Sequence, residues 1–184
     1  QDMTIVWEKV KACITELMDS KVVAAEDIKG IGVTGQGEGC WLIDKEGKPL
    51  QNAILWCDGR AVAEVHKITE EHPEIGKLYH RTTGTPPLLG NQMMLLRWMK
   101  SHRKDVLDKG YKILFCKDWI RYNLTGKIGT EITDSFTSLI DAQTGKIAED
   151  LMKELDIFEY RDYLPDPVNS DEVVGTILNS VAEE

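Results

Sequence analysis

The sequence predicts an α/β domain with helices packed on a sheet, and three observations predict it. Apolar residues recur at three-to-four spacing near the start, short apolar runs bounded by glycine follow, and helical and extended patterns then alternate. With 42% hydrophobic and 29% charged residues over 184 positions, the chain has apolar material for one core of ordinary size.

Val6, Val10, Ile14 and Leu17 form one apolar stripe, so residues 4–19 are predicted to be an amphipathic helix. KGIGVTG implies a buried strand at 31–34, CWLID a second strand, and DKEGKPL a turn built on Gly47 and Pro49. NAILW is a further extended segment ending at Trp56. RAVAEVHKITEEH reads as helix, and YHRTTGTPPLLGN as a loop that keeps Leu88 and Leu89 out of regular structure. QMMLLRWMKSH is a strongly apolar helix, its Met and Trp side chains core, closing with Lys100 and His102. YKILFC is predicted as a strand, DWIRYNLTG as a helix stopped by Gly126, IAEDLMKELDI as a helix, and EVVGTILNS as a last strand. No internal repeat or low-complexity tract interrupts this order.

Charge and cysteine usage exclude several function classes. A formal net charge of -9, from 31 acidic against 22 basic side chains, is the wrong sign for a surface that neutralises phosphates, so no nucleic-acid partner is expected. No stretch reaches the roughly 20 apolar residues of a membrane helix, and QDMTIVWEKV lacks the basic-then-apolar layout of a signal peptide. No membrane partner is expected and a cytoplasmic setting is. Cys13, Cys40, Cys57 and Cys116 are scattered without the close pairs of zinc or redox sites, so each is expected to be a buried apolar side chain, and no metal site is assigned. His66, His72, His80 and His102 sit in polar or helix-end contexts, and most are expected at the surface.

The segment GQGEGCWLID, from Gly35, concentrates three glycines around Gln36 and Glu38, which would weaken either a helix or a strand. Three readings address it. A phosphate cradle is disfavoured because the spacing is neither GxGxxG nor Walker-like, and CWLID has strand rather than helix character after it. A purely structural bulge would leave Gln36 and Glu38 exposed. A ligand site at the carboxyl end of a buried strand would use the glycines to clear space, with Gln36 and Glu38 pointing to one side of an extended chain. Amide donors beside carboxylate acceptors suit a polyhydroxylated ligand, whose buried hydroxyls each need both.

GVTGQGEGCWLIDKEGKPLQNAILWCDGR resembles the corresponding stretch of the FGGY carbohydrate kinases, and the resemblance continues through KDWIRYNLTG and TDSFTSLIDAQTGK to cover most of the chain. It implies a ribonuclease H-like fold of the actin/hexokinase superfamily, a mixed sheet with flanking helices, of which residues 1–184 are a single partial domain, the central part of the sugar-binding N-terminal domain. Carried across by position, Glu38 matches the family's acidic substrate ligand and Trp56 an aromatic against which the sugar skeleton packs. Gly37 falls where glycerol kinases hold an Arg and xylulose kinases a Met, which implies a bulkier substrate or a differently placed hydroxyl. Asp58 and Arg60, in WCDGR, match an Asp-Gly-Arg run that either touches substrate or forms a supporting ion pair. Gln36 completes the triplet. Gly90, Asn91 and Gln92 lie where the family places a loop over the sugar; Gln92 is a candidate ligand, and Asn91 is expected to cap the helix that follows. Asp134 and Ser135 align with a turn that usually reads Ala-Ser, and an Asx-type turn is expected there.

The resemblance also implies ATP and Mg2+ as cosubstrate and cofactor of the full-length protein, and a small sugar or polyol, pentulose-like rather than glycerol, as acceptor. The family's N-terminal glycine-rich hairpin, its general-base Asp and its second domain are expected to lie outside this chain, the base beyond Glu184. No catalytic residue is therefore assigned, the remaining kinase domains are expected partners, the fragment is expected to be inactive alone, and a homo-oligomer is left open. The alternative is a non-catalytic carbohydrate-binding or regulatory module on the same fold; a dehydrogenase finds no dinucleotide fingerprint.

Overall fold

Helix α1 (Met3–Asp19) starts where Asp2 accepts a hydrogen bond from the Ile5 amide at 3.0 Å, an N-cap in the usual sense. The elements that follow in the computed structural model, which describes residues 1–183, are β1 (Trp41–Ile43), α2 (Val62–His66), α3 (Pro73–Thr83), α4 (Gln92–His102), α5 (Lys104–Leu107) and β2 (Lys112–Leu114). Then come α6 (Cys116–Thr125), β3 (Thr130–Glu131), α7 (Ile132–Ser138), α8 (Glu149–Glu154), β4 (Pro167–Val168) and α9 (Asn179–Ala182). β1 pairs antiparallel with β2, Leu42 opposite Ile113, and β3 pairs parallel with β4, Thr130 opposite Pro167. The strands thus form two short ladders among the described residues, with helices around both.

The β1–β2 ladder divides the core. Side chains alternate across a strand, so Leu42 and Ile113 join one apolar cluster while Trp41, Ile43 and Leu114 join another. The first cluster is filled by α4, whose Met93, Met94, Leu95 and Leu96 are all buried, as expected for a helix apolar on nearly every side. α8 packs Leu151 and Met152 into it. The second cluster lies between the ladder, α6 and α1, where the Trp119 indole donates to the Met3 carbonyl at 2.9 Å and ties the two helices together. α1 presents Val6, Trp7, Val10 and Ile14 to this cluster, but Leu17 at its far end is 48% exposed.

Several sequence expectations need correcting. Residues 31–34 form no strand: Ile31 is 48% exposed, and no ladder among the described residues includes this segment. EVVGTILNS likewise makes no strand; Val173 is open to solvent and the segment ends in α9. The expected helix from Arg60 to His72 is α2 followed by a π-helical turn, Lys67–Glu71, and Pro73 begins a new helix that runs into the expected loop as far as Thr83. NAILW contributes only an isolated bridge between Cys40 and Ile54. Cys13 and Cys57 are exposed rather than buried, while Cys40 and Cys116 are buried as expected. No helix among the described residues is long and apolar enough to cross a membrane.

Candidate functional site

The glycine-rich segment turns the chain into β1. Glu38 does this with a left-handed backbone, φ +58°, a conformation uncommon for a residue with a Cβ and the sort of local strain that clusters at functional positions. Gly39 follows at φ +86°, where an added Cβ would stand 2.5 Å from the Ile54 carbonyl oxygen. The chain from Ile54 to Trp56 therefore runs against Gly39, and Gly90 seals the other side: a Cβ there would lie 1.8 Å from the Trp56 oxygen. The Gly39 amide donates to the Gly90 carbonyl at 3.0 Å. Three distant segments meet at this corner because glycine lets their backbones touch.

The twist turns the Glu38 carboxylate inward. Its Oε1 accepts from Asn91 Nδ2 at 2.8 Å, and its Oε2 accepts from the Gln92 amide and the Ser138 hydroxyl, both at 2.9 Å. Burial pushes the carboxyl above the ordinary glutamate range, and hydrogen bonds from Thr137, Gln92, Ser138 and Asn91 pull it part of the way back. Beneath it Tyr79 is buried, and burial together with the neighbouring Glu38 charge raises its phenol well above the normal value. Glu38, rather than Asn91, supplies the side-chain cap of α4: the Asn91 side chain makes no bond into the helix, and its Oδ1 accepts from the Leu88 amide at 2.5 Å.

The other sequence candidates separate. Gln36 and Glu38 do not share a side, since the left-handed turn intervenes; Gln36 Nε2 bonds the Gln1 side chain at 3.0 Å, and Gln36 lies against Cys116. Trp56 joins Glu38 through its backbone at Gly39 and Gly90 and leaves its side chain 57% exposed. Asp58 and Arg60 pair with each other, Arg60 Nε and Nη2 each donating to the carboxylate at 2.8 Å, and the guanidinium lies 4.9 Å from the Trp98 ring. They line a shallow groove of about 600 Å³ with Gln51, Asn52 and Arg103. Gln92 is 1% exposed and its Nε2 is committed to the carbonyls of Gly39, at 3.2 Å, and Leu114, at 3.1 Å, an internal tie, while its Oε1 accepts no hydrogen bond.

Sequence reasoning missed Ser138 and misread its neighbours. Asp134 and Ser135 belong to α7 and not to an Asx turn, because Glu131 caps the segment, accepting from the Thr133 amide at 2.7 Å. The signal was present in the four-residue spacing of Asp134 and Ser138, which shares one face of a helix. Behind this face lies a charged group: Lys117 Nζ is 2.5 Å from Glu131 Oε2 and 3.2 Å from Asp134 Oδ2. Burial alone would raise the Glu131 carboxyl, but Lys117, Ser170 and Thr133 hold it at about 2. Beyond Lys117 a groove of about 670 Å³ opens between residues 28–33 and 169–177, lined also by Asp118 and Arg121. Neither groove includes Glu38 or Trp56. Among the described residues no three His, Cys, Asp or Glu side chains converge as a cation site.

Comparison with known proteins agrees in sequence and in fold. The FGGY family of carbohydrate kinases, N-terminal domain, matches across residues 1–184. The chain is similar to the L-xylulose/3-keto-L-gulonate kinase of Escherichia coli (strain K12), 36% identical over 99% of this chain and 36% of that protein. A probable L-xylulose kinase of Pasteurella multocida (strain Pm70) is 31% identical over 100% of this chain and 38% of the relative. The crystal structure of gluconate kinase from Lactobacillus acidophilus superposes with a TM-score of 0.89 at 22% identity, covering all of this chain and 36% of that one. The chain thus spans little more than a third of the length of these relatives, and its fold is that of the FGGY sugar kinases.

Proposed function

The chain belongs to the FGGY family of carbohydrate kinases, matching its N-terminal domain throughout, and on that premise we propose that the full-length protein is an ATP-dependent sugar kinase. It transfers a phosphoryl group to a hydroxyl of a small sugar or polyol, with a pentulose favoured, and residues 1–184 are the part of the N-terminal domain that recognises the sugar. The observation that carries this reading is Glu38: an acidic side chain at the family's substrate-ligand position, held in a left-handed backbone and oriented by four donors, with the Trp56 backbone packed on the neighbouring Gly39 and Gly90 and the indole exposed. Hydrogen bonds from Asn91, Gln92, Ser138 and Thr137 fix the orientation of the carboxylate before any substrate hydroxyl arrives. The indole supplies an apolar face for the carbon skeleton.

The residues of this chain therefore bind and orient the acceptor. Phosphoryl transfer depends mainly on such positioning and on charge stabilisation around the transferred group. ATP and Mg2+ would supply the phosphoryl group and its charge neutralisation in the full-length protein; no residue of this chain is given a part in holding either. Two relatives named for L-xylulose support a five-carbon ketose as acceptor. A cytoplasmic location, a homo-oligomer and association with the remaining kinase domains belong to the same proposal.

Coupled ADP release from the full-length protein, measured on pentuloses, polyols, glycerol and gluconate, tests the reading. Turnover on a pentulose is the expected result. Thermal stabilisation by a sugar without ADP release would replace the kinase by a carbohydrate-binding module, and a preference for glycerol would overturn the substrate class.

A further inference from the structure

Resting on the sugar-kinase reading, we propose that Asp134 is a specificity-determining residue whose Oδ1 accepts a hydrogen bond from one substrate hydroxyl through the gap that Gly37 leaves. The two carboxylate oxygens differ. Oδ2 is buried and stands 3.2 Å from Lys117 Nζ, close enough for an ion pair but without the alignment of a hydrogen bond. Oδ1 receives no hydrogen bond from the protein, and what stands in front of it is Gly37: a Cβ added there would lie 3.2 Å from Oδ1, a tight contact. Any side chain at position 37 would cover the oxygen, so glycine keeps it open. Gly37 has no positive φ, so space and not backbone conformation is what the residue provides.

Position relative to Glu38 makes this oxygen part of the same surface. Gly37 faces Asp134, and the next residue, Glu38, accepts from Ser138, one helical turn further along α7. The chain at 37–38 and the helix at 134–138 therefore run side by side, with two carboxylates along the contact. Asp134 is 14% exposed and held by a lysine that also grips Glu131, so its orientation is set before any ligand arrives. The same lysine decides the ligand chemistry. An ammonium behind the carboxylate repels a cation, and the carboxylate repels an anion, which leaves a neutral donor: a sugar hydroxyl. A hydroxyl that reaches Oδ1 adds a charge-assisted hydrogen bond that its deoxy analogue cannot make.

The test measures kcat and KM for the full-length protein, Asp134→Ala and Gly37→Ala, on pentuloses that differ by inversion or removal of one hydroxyl at a time. Asp134→Ala should lower kcat/KM by about tenfold or more on sugars carrying one particular hydroxyl, and by less than about twofold on the analogue lacking it. Gly37→Ala should reproduce that pattern, and it carries the test if the Asp134 variant does not fold. A loss spread evenly over the panel, or no loss, would make Lys117 and Asp134 a structural pair and overturn the proposal while leaving the kinase reading intact. Absence of turnover by the unsubstituted protein on every sugar would overturn both.

Discussion

The Glu38 carboxylate lies 2.9 Å from the backbone amide of Gln92, 54 positions further along the chain, and so caps the helix that fills the larger core cluster. One side chain joins the glycine turn, the start of α4 and the end of α7. Glu38→Ala should remove these acceptor contacts and cost about 2 kcal/mol, since hydrogen bonds to a charged group contribute about 1.5–3 kcal/mol each and part of that is recovered by solvation. A drop of about 4–8 °C in Tm is expected for a chain of this size, read by thermal unfolding. In the full-length enzyme KM should rise and kcat fall together. An unchanged Tm would mean that the cap contributes nothing to stability.

Glycines at the corner are expected to differ sharply from glycines elsewhere. Gly90→Ala would drive a Cβ to 1.8 Å from the Trp56 oxygen, so the two segments must separate, at a cost of more than about 2 kcal/mol. Gly59→Ala meets nothing within 4 Å and should fall within about 0.5 kcal/mol of the unsubstituted chain. Urea unfolding midpoints of the two variants, compared at equal m, provide the check. Similar losses would contradict the close approach.

Gln92→Leu is expected to destabilise by about 2 kcal/mol although it adds apolar volume to a buried position. The substitution strips the side-chain amide donor from two carbonyls, those of Gly39 and Leu114, at a buried position. Hydrogen exchange at β1 and β2 should accelerate in the variant, because Gln92 pins the ladder to α4. Unaltered protection there would remove the tie.

The pH dependence of stability should carry the mark of Asp118. Burial raises its carboxyl to about 6 in the folded chain, against Arg121, Thr130 and the Phe115 amide, which favour ionisation, while Asp134 opposes it. Because the folded value lies above the ordinary 3.8, the native state holds this proton more tightly than the unfolded chain. Its contribution is complete below about pH 4 and is lost as pH rises through about 6, a swing on the order of 3 kcal/mol. Asp118→Asn keeps an acceptor for the Phe115 amide, 3.3 Å away, and should flatten the fall of Tm between pH 4 and 6.5. Glu131 acts in the opposite sense and in another window: its carboxyl is held at about 2, so its contribution stands above about pH 4.5 and disappears on acidification through about 2. A Tm profile between pH 4 and 6.5 identical in Asp118→Asn and the unsubstituted chain would sink the assignment.

Local patterns were legible in the sequence wherever the physics is local. The stripe from Val6 to Ile14 marks α1, the apolar run at 93–96 marks the buried α4, and Gly126 stops α6 in a left-handed conformation. The same logic failed at 31–34, where glycine-bounded apolar residues resemble a buried strand but a strand needs a partner that composition cannot supply. It failed again at Asp134: a Thr-Asp-Ser run suits a turn, and only the Glu131 cap makes it helical.

By itself the sequence determined the family, the order of helical segments and the identity of Glu38 and Trp56 as a pair worth following. Tertiary structure decided what each candidate does. Gln92 became a buried tie and Gly37 emerged as the opening over Asp134, because hydrogen bonds and close approaches join residues some 50 to 100 positions apart, while Asp58 and Arg60, two positions apart, paired with each other. Spacing along a chain reports which face of an element a residue occupies; which partner meets that face depends on how the elements pack.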